Sequence, residues 1–477
     1  MKKWLLVGLC LCMLCGCTTT PTPSAPNGSD PVPPQPDTPK TITLPVEDAS
    51  GFDPYKTLSY ANRLVLSFVT QPLFVALEDG TARPILAESF EVSPDGKTTK
   101  VTLCTDVTFH NGTALTADAV IESIQSAKEG GYYQGRFYAL ENMTAEGNTV
   151  VFTTTQSYEC FPLLLDVPIV LGDNALPVGT GPYAFSSPTE LVASPHWDEK
   201  QDYPVDAEAI TLKNITDVKT LREEFQYGAL SAMAGDPNGA GAPVFPSTEE
   251  LWGVPTTILQ YVGFNLRKGI FADEKIRATV TYAIDRYPIV REDMMGFATE
   301  ATLPSLMGGL WDEASLRENV DYYPQNLMSI LPQGRSAKMI VCGDSSQKVT
   351  TAKRVSASIS DCGLTVNLEI LSAEDFAKAL QNGNFDLYLA ETRLPSNGDL
   401  SAFFTAGSPL AVGGLDKETT ALELCKLALS NQGNAYDLQK KILSEGLICP
   451  VAFKTTALCL EKDAFHGINP HLGGWIF

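Results

Sequence analysis

The chain has 477 residues, with 34 Lys and Arg against 56 Asp and Glu, a formal charge of −22 at pH 7. Such an excess of carboxylates excludes nucleic acid as a partner; the acidity serves to keep the surface solvated, or else biases a cleft toward cationic or neutral solutes. The length and an apolar share of 44% provide for two or three domains, and beyond the leader no apolar run reaches the length of a membrane span.

The first 40 residues read as a leader and a tether. Lys2 and Lys3 precede an apolar run over residues 4–14, too short to cross a bilayer but suited to a signal peptide over residues 1–16. Leu14-Cys15-Gly16-Cys17 has the form of a lipobox, in which small residues fit the peptidase and the Cys17 thiol takes the lipid. Two acyl chains hold a protein stably at a membrane, so Cys17 is expected to anchor a mature chain of charge −24. Residues 18–40 hold eight prolines among Thr, Ser, Asn and Asp. They cannot bury enough apolar surface to order themselves, and they reach up to about 70 Å at about 3.1 Å per residue.

In the body, residues 41–46 alternate like an edge strand. Ala61, Leu64, Val65, Phe68 and Val69 fall on one face of a helix that Pro72 stops. Ser93-Pro94-Asp95-Gly96-Lys97 sets a hairpin turn, and Thr99, Val101 and Leu103 alternate after it. Asn111-Gly112 turns the chain again, and Thr116 caps a helix begun by Ala119, Val120, Ile121 and Ile124. Val178-Gly179-Thr180-Gly181-Pro182-Tyr183 reads as a tight turn whose glycines permit positive φ. No Lys-Ser/Thr follows it, so it is not a phosphate loop.

A short strand at residues 260–265 leads into a helix with Ile276, Val280 and Ile284 on one face and acid in its first turn. Arg277, Asp285 and Arg286 read as ion pairs holding helix to strand rather than as catalytic charges. Residues 339–342, a polar helix to Ile359 and residues 364–370 form strand–helix–strand. A further strand covers 385–389, and a helix at 435–445 precedes an extended segment at 447–460. The seven cysteines beyond Cys17 show no metal-ligand spacing. Their odd number leaves at least one unpaired, and Cys449 with Cys459, flanking an expected hairpin, are the one suggested disulfide.

Several of these blocks resemble the family-5 extracellular solute-binding proteins, the peptide- and nickel-type receptors of ABC importers. Pro84-Ile85-Leu86-Ala87-Glu88-Ser89-Phe90, Asp95-Gly96-Lys97-Thr98 and Phe109-His110-Asn111-Gly112 match the family's signature, with Ala119 departing from it by separating Asp118 from Val120. Gly179-Thr180-Gly181-Pro182-Tyr183, Phe264-Asn265 and Ala283-Ile284-Asp285-Arg286 match later blocks. The resemblance implies an α/β, two-lobed periplasmic-binding-protein-like fold of type II with an extra small domain in the first lobe. Lobe I would comprise residues 41–82, 177–258 and 446–477, with the small subdomain at 83–176 and lobe II at 259–445. It further implies a monomeric receptor on the outer face of the cell membrane. Such a receptor clamps a small solute, an oligopeptide or peptide-like molecule, and delivers it to an ABC permease.

Family members place a ligand contact just after the first helix, where this chain has Gln71, a residue that equally suits a helix end. Phe385-Asp386-Leu387-Tyr388-Leu389 resembles a family strand after which an aspartate anchors a ligand amine. Here that position falls at Pro395 or Ser396, which carry no charge, so Glu391, Arg393 and Asp399 are the expected substitutes in a differently charged pocket. No nucleophile elbow, metalloprotease helix or dinucleotide fingerprint occurs, and His110, His196, His466 and His471 are scattered, so neither catalysis, cofactor nor metal is expected. The competing readings are a surface sensor built on the same lobes and an extracellular hydrolase.

Overall fold

Two long antiparallel strands, Glu250–Phe264 and Cys449–Leu460, organise the body of the computed structural model. The structure describes residues 41–48, 51–133, 135–172, 175–197, 203–239, 250–304, 331–430 and 435–476. The expected signal peptide, the lipobox with Cys17 and the proline-rich tether lie outside the described residues. Each long strand feeds several separate cores. Val254, Leu458 and Leu460 pack in one core with Leu44, Leu64, Phe68 and Leu212, whereas Val262, Phe264, Cys449 and Val451 pack in another with Met339, Val355 and Leu389. Between the halves the register slips. Pro255 opposes Thr455 but Leu259 opposes Phe453, so two extra residues bulge from the first strand.

The first core is covered by a four-stranded sheet in which Ile42–Val46 forms an edge, parallel to Ala209–Asn214. The helix Tyr60–Val69 packs on it. Ser59 caps that helix by accepting from the Asn62 amide, and Leu64, Val65, Phe68 and Val69 are buried, as the 3.6-residue period requires. The second core carries the strand–helix–strand unit. Ser336–Cys342 pairs in parallel with Thr365–Leu371 and with Leu387–Arg393, and the helix Ser346–Asp361 crosses between the first two. A parallel pair needs such a crossover because a tight turn reverses the chain.

The third unit is a four-stranded antiparallel sheet containing the hairpin of Ala87–Val92 and Thr98–Leu103. Its turn is as expected, with Gly96 at φ +69° and donating to the Ser93 carbonyl. Thr116 caps the helix Ala117–Glu129 through the Ala119 amide. The core of this sheet runs on without a break into Tyr261, Tyr388, Phe403 and the helices Thr419–Ala428 and Ala435–Glu445.

Three expectations are corrected. Cys449 and Cys459 do not form a disulfide with each other, because residues 449–460 form one continuous strand rather than a hairpin; ten residues of strand separate them by roughly 33 Å. Gly179 and Gly181 do not have positive φ. They are small because the backbone of the preceding helix end lies against them, the carbonyl of Val69 at 2.0 Å from where a Gly179 Cβ would sit and that of Phe68 at 2.5 Å from a Gly181 Cβ. Among the described residues, Arg277 and Arg286 are buried on backbone carbonyls rather than in ion pairs: Arg277 donates to Phe271, Glu445 and Gly446, and Arg286 to Thr281, Ile284, Ala301 and Pro450. Among the described residues, no helix is long and apolar enough to cross a membrane.

Candidate functional site

A cavity opens where the two long strands pass from one core to the other. Its wall begins on the helix Tyr60–Val69, where Arg63, Leu66, Ser67 and Thr70 follow at i, i+3, i+4 and i+7 and form the stripe beside the buried face. Opposite stand Tyr132 and Tyr133, on the single turn Gly131–Tyr133 that follows the helix Ala117–Glu129. Arg393 enters from the end of the strand Leu387–Arg393. The floor is the hairpin of Asn469–His471 and Gly474–Ile476. Its turn is pinned to the bulge by a hydrogen bond from the Gly473 amide to the Pro255 carbonyl at 2.7 Å and to the third unit by Leu472 donating to Ala76 at 3.0 Å.

The charges facing the cavity are mainly positive. The guanidinium carbons of Arg63 and Arg393 lie over the Tyr132 ring, 3.9 and 5.1 Å from its centroid. Among the described residues, neither forms an ion pair with a carboxylate. Burial pushes the Tyr132 phenol up, but Arg63, Arg393 and Arg136 outweigh it and hold the group below its ordinary pKa. The carboxylate in the wall, Asp166, is already engaged. One of its oxygens is paired with Arg136 and the other accepts the Ser396 hydroxyl at 2.5 Å.

His471 is held neutral. Burial lowers its pKa to about 4, and the charges of Arg83 and Arg63 act in the same direction against Asp166. A basic group with a depressed folded-state pKa contributes stability above its unfolded value, near 6.5, and that stability is lost as pH falls toward 4. The melting temperature of the wild type should therefore fall further between pH 7.5 and 4.5 than that of His471→Gln. Parallel acid profiles for the two would show that His471 protonates freely in the folded state.

Of the four residues expected at the site, Arg393 lines this cavity. Gln71 instead accepts a hydrogen bond from Thr180 at 3.1 Å, tying the helix end to the Gly-Thr-Gly turn. Glu391 lies 3.6 Å from the Lys454 ammonium, which is also paired with Asp236. Asp399 is buried away from the cavity, accepting from the Ser401 amide at 2.7 Å and from the Tyr158 hydroxyl at 3.3 Å. Burial raises its pKa against those hydrogen bonds. Its position thus serves to start the short helix Ser401–Phe404 and to tie Tyr158 to that helix within one continuous core. Sequence reasoning missed Arg63, Tyr132, His471 and Trp475. Arg63 had a local signal, a charge on the helix stripe next to the apolar one, whereas the other three reach the cavity through long-range contacts.

The chain matches the model of the bacterial extracellular solute-binding proteins, family 5 Middle, over residues 81–409. It is 28% identical over 273 residues to the glutathione-binding protein GsiB of Salmonella paratyphi A, a match covering 52% of this chain and 53% of the relative. The chain thus spans about half the length of the curated relatives it matches. Its fold is similar to that of a putative peptide-binding protein, AppA, of Clostridium difficile, with a TM-score of 0.70 at 16% identity over 89% of this chain and 95% of that one. It is also similar to that of a nickel ABC transporter protein of Bacillus halodurans, with a TM-score of 0.68 at 18% identity over 89% and 95% of the two chains. With an α/β body whose long strands serve several cores, two-lobed neighbours in structure and a family match over most of its length, the chain belongs to the family-5 bacterial extracellular solute-binding proteins.

Proposed function

We propose that this chain is the substrate-binding component of an ABC importer, that the cavity between Arg63, Tyr132, Arg393 and Trp475 is its solute site, and that Cys17 tethers it to the outer face of the cell membrane. The observation that carries the reading is the position of the cavity at the bulged crossing of two strands shared by separate cores. On this reading residues 41–82, 177–258 and 446–477 form lobe I, residues 83–176 its small subdomain and residues 259–445 lobe II. The crossing strands are then the hinge, and a solute touching both lobes stabilises the closed form. A preference of about 5.5 kcal/mol for that form carries a population from 1:99 to 99:1, and the permease reads the closed shape. A relative named for glutathione and a neighbour named for peptides favour a small peptide-like solute.

The test is native mass spectrometry of protein purified without refolding, followed by small-angle scattering with and without the retained solute. A bound small molecule whose return compacts the particle is the expected result. No retained mass, and no compaction with a panel of peptides, metal chelates and oligosaccharides, would remove the receptor reading. In cells, Cys17→Ala is expected to move the protein from the membrane fraction to the medium or periplasm; continued membrane retention would remove the tether.

A further inference from the structure

The wall of the cavity sets the charge of what it holds, an inference that rests on the cavity being the solute site. Arg63 and Arg393 each present a guanidinium with five N–H donors and no acceptor capacity. The face of Tyr132 attracts both cations, but an aromatic face does not replace a carboxylate as acceptor for the guanidinium edge. Arg63 also meets the Tyr133 hydroxyl, again a neutral partner. Trp475 also lines the cavity and is 7% exposed, and among the described residues its buried indole Nε1 has no acceptor. A donor left unpaired on burial is costly, and two half-buried guanidinium groups that meet no carboxylate among the described residues ask for acceptors from a guest.

The wall has no matching provision for a cation. Both oxygens of Asp166 are taken by Arg136 and Ser396, and the Ser396 hydroxyl is itself a contact of Arg136 at 3.2 Å. Ser396 therefore closes the wall by joining two charged groups to each other. The remaining carboxylates among the expected site residues, Glu391 and Asp399, are committed elsewhere, to Lys454 and to Ser401 with Tyr158. The acidity of the chain as a whole thus stops at the cavity.

We infer that the solute is a small oxyanionic molecule carrying a carboxylate for each of Arg63 and Arg393, held by its acid groups and not by an amine. Carboxylates suit this wall because a guanidinium can take one through two parallel hydrogen bonds. The same field turns away polyamines and masked acids. Since the two arginines come from the first helix and from the end of the strand Leu387–Arg393, such a solute also neutralises charge on both sides of the closing cleft.

The test is isothermal titration calorimetry at low ionic strength with five probes: succinate, citrate, glutathione, glutathione diethyl ester and putrescine. Binding of at least one free acid, with no binding of the ester or of putrescine, is expected. Arg63→Gln and Arg393→Gln should each weaken that acid roughly ten- to hundredfold, the double variant should abolish binding, and Arg63→Lys should recover part of it. Circular dichroism spectra identical to wild type keep a folding defect from mimicking the effect, and Arg393→Gln, at a strand end, is the safer of the two variants. Ester or putrescine binding as tight as the acids, no acid binding at all, or full affinity in the double variant would each overturn the inference. A neutral or cationic solute retained on native purification would also overturn it while leaving the receptor reading in place. An empty protein that compacts with nothing removes both.

Discussion

Gly181→Ala should be severely damaging for a single added methyl group, costing about 3 kcal/mol or more, at the upper end of overpacking effects. The added Cβ would lie 2.5 Å from the Phe68 carbonyl oxygen and 2.7 Å from the Val69 carbonyl carbon. Both are backbone atoms at the end of the helix Tyr60–Val69, so no rotamer change relieves the clash. The same glycine donates its amide to the Val69 carbonyl at 3.0 Å, and its own carbonyl meets the His110 Nε2 at 2.9 Å. His110 in turn donates its amide to Gly179 at 3.0 Å. Moving the turn to admit a methyl group therefore disturbs the helix end and the Phe109–Gly112 turn together. Gly179→Ala should behave alike. Gly131, with nothing within 4 Å of a built Cβ, provides the control, and Gly131→Ala should be nearly neutral. Chemical denaturation reads the series; a wild-type midpoint for Gly181→Ala would show that the turn moves freely.

Arg286→Met should cost about 4 kcal/mol, because burying a methionine there leaves several carbonyls without donors at roughly 1–3 kcal/mol each. Arg286 is 4% exposed. It donates to Ala301 at 2.8 Å, Pro450 at 2.7 Å, Thr281 at 3.0 Å and Ile284 at 3.2 Å, joining the end of the helix Glu274–Ala283 to the start of the strand Cys449–Leu460. Burial lowers its pKa, and no carboxylate among the described residues pairs with it, so the surrounding carbonyl dipoles hold the charge. Arg286→Lys is the discriminating variant. A lysine keeps the charge but cannot reproduce a planar fork reaching four carbonyls, so a loss intermediate between wild type and Met is expected. Full stability of the lysine variant would mean that charge, and not geometry, is what the site requires.

The local elements were legible because their causes are local. Thr116 caps a helix with a neighbouring amide, Gly96 turns a hairpin, and the apolar period of residues 61–69 survives as a buried face. The family blocks were legible for a related reason: each is a turn or helix start whose chemistry is carried by adjacent residues. The longest elements were less so. Residues 250–264 and 449–460 each divide among three or more cores, and no short window shows a strand changing the core it serves. That is why a hairpin, and with it a disulfide, was expected where one strand runs through.

The candidate site shows the same division. Composition and order along the chain, by themselves, determined the solute-binding family of the body, and they raised the expectations of a leader and of an uncharged residue, Pro395 or Ser396, at the amine-anchor position. Only the tertiary structure brought Arg63 and Arg393 to one aromatic ring from positions 330 residues apart and closed Asp166 onto Arg136 and Ser396. Net charge counts every carboxylate equally, but a cavity feels the ones that reach it unpaired. Which charges those are depends on packing across the chain, and no run of neighbouring residues carries that information.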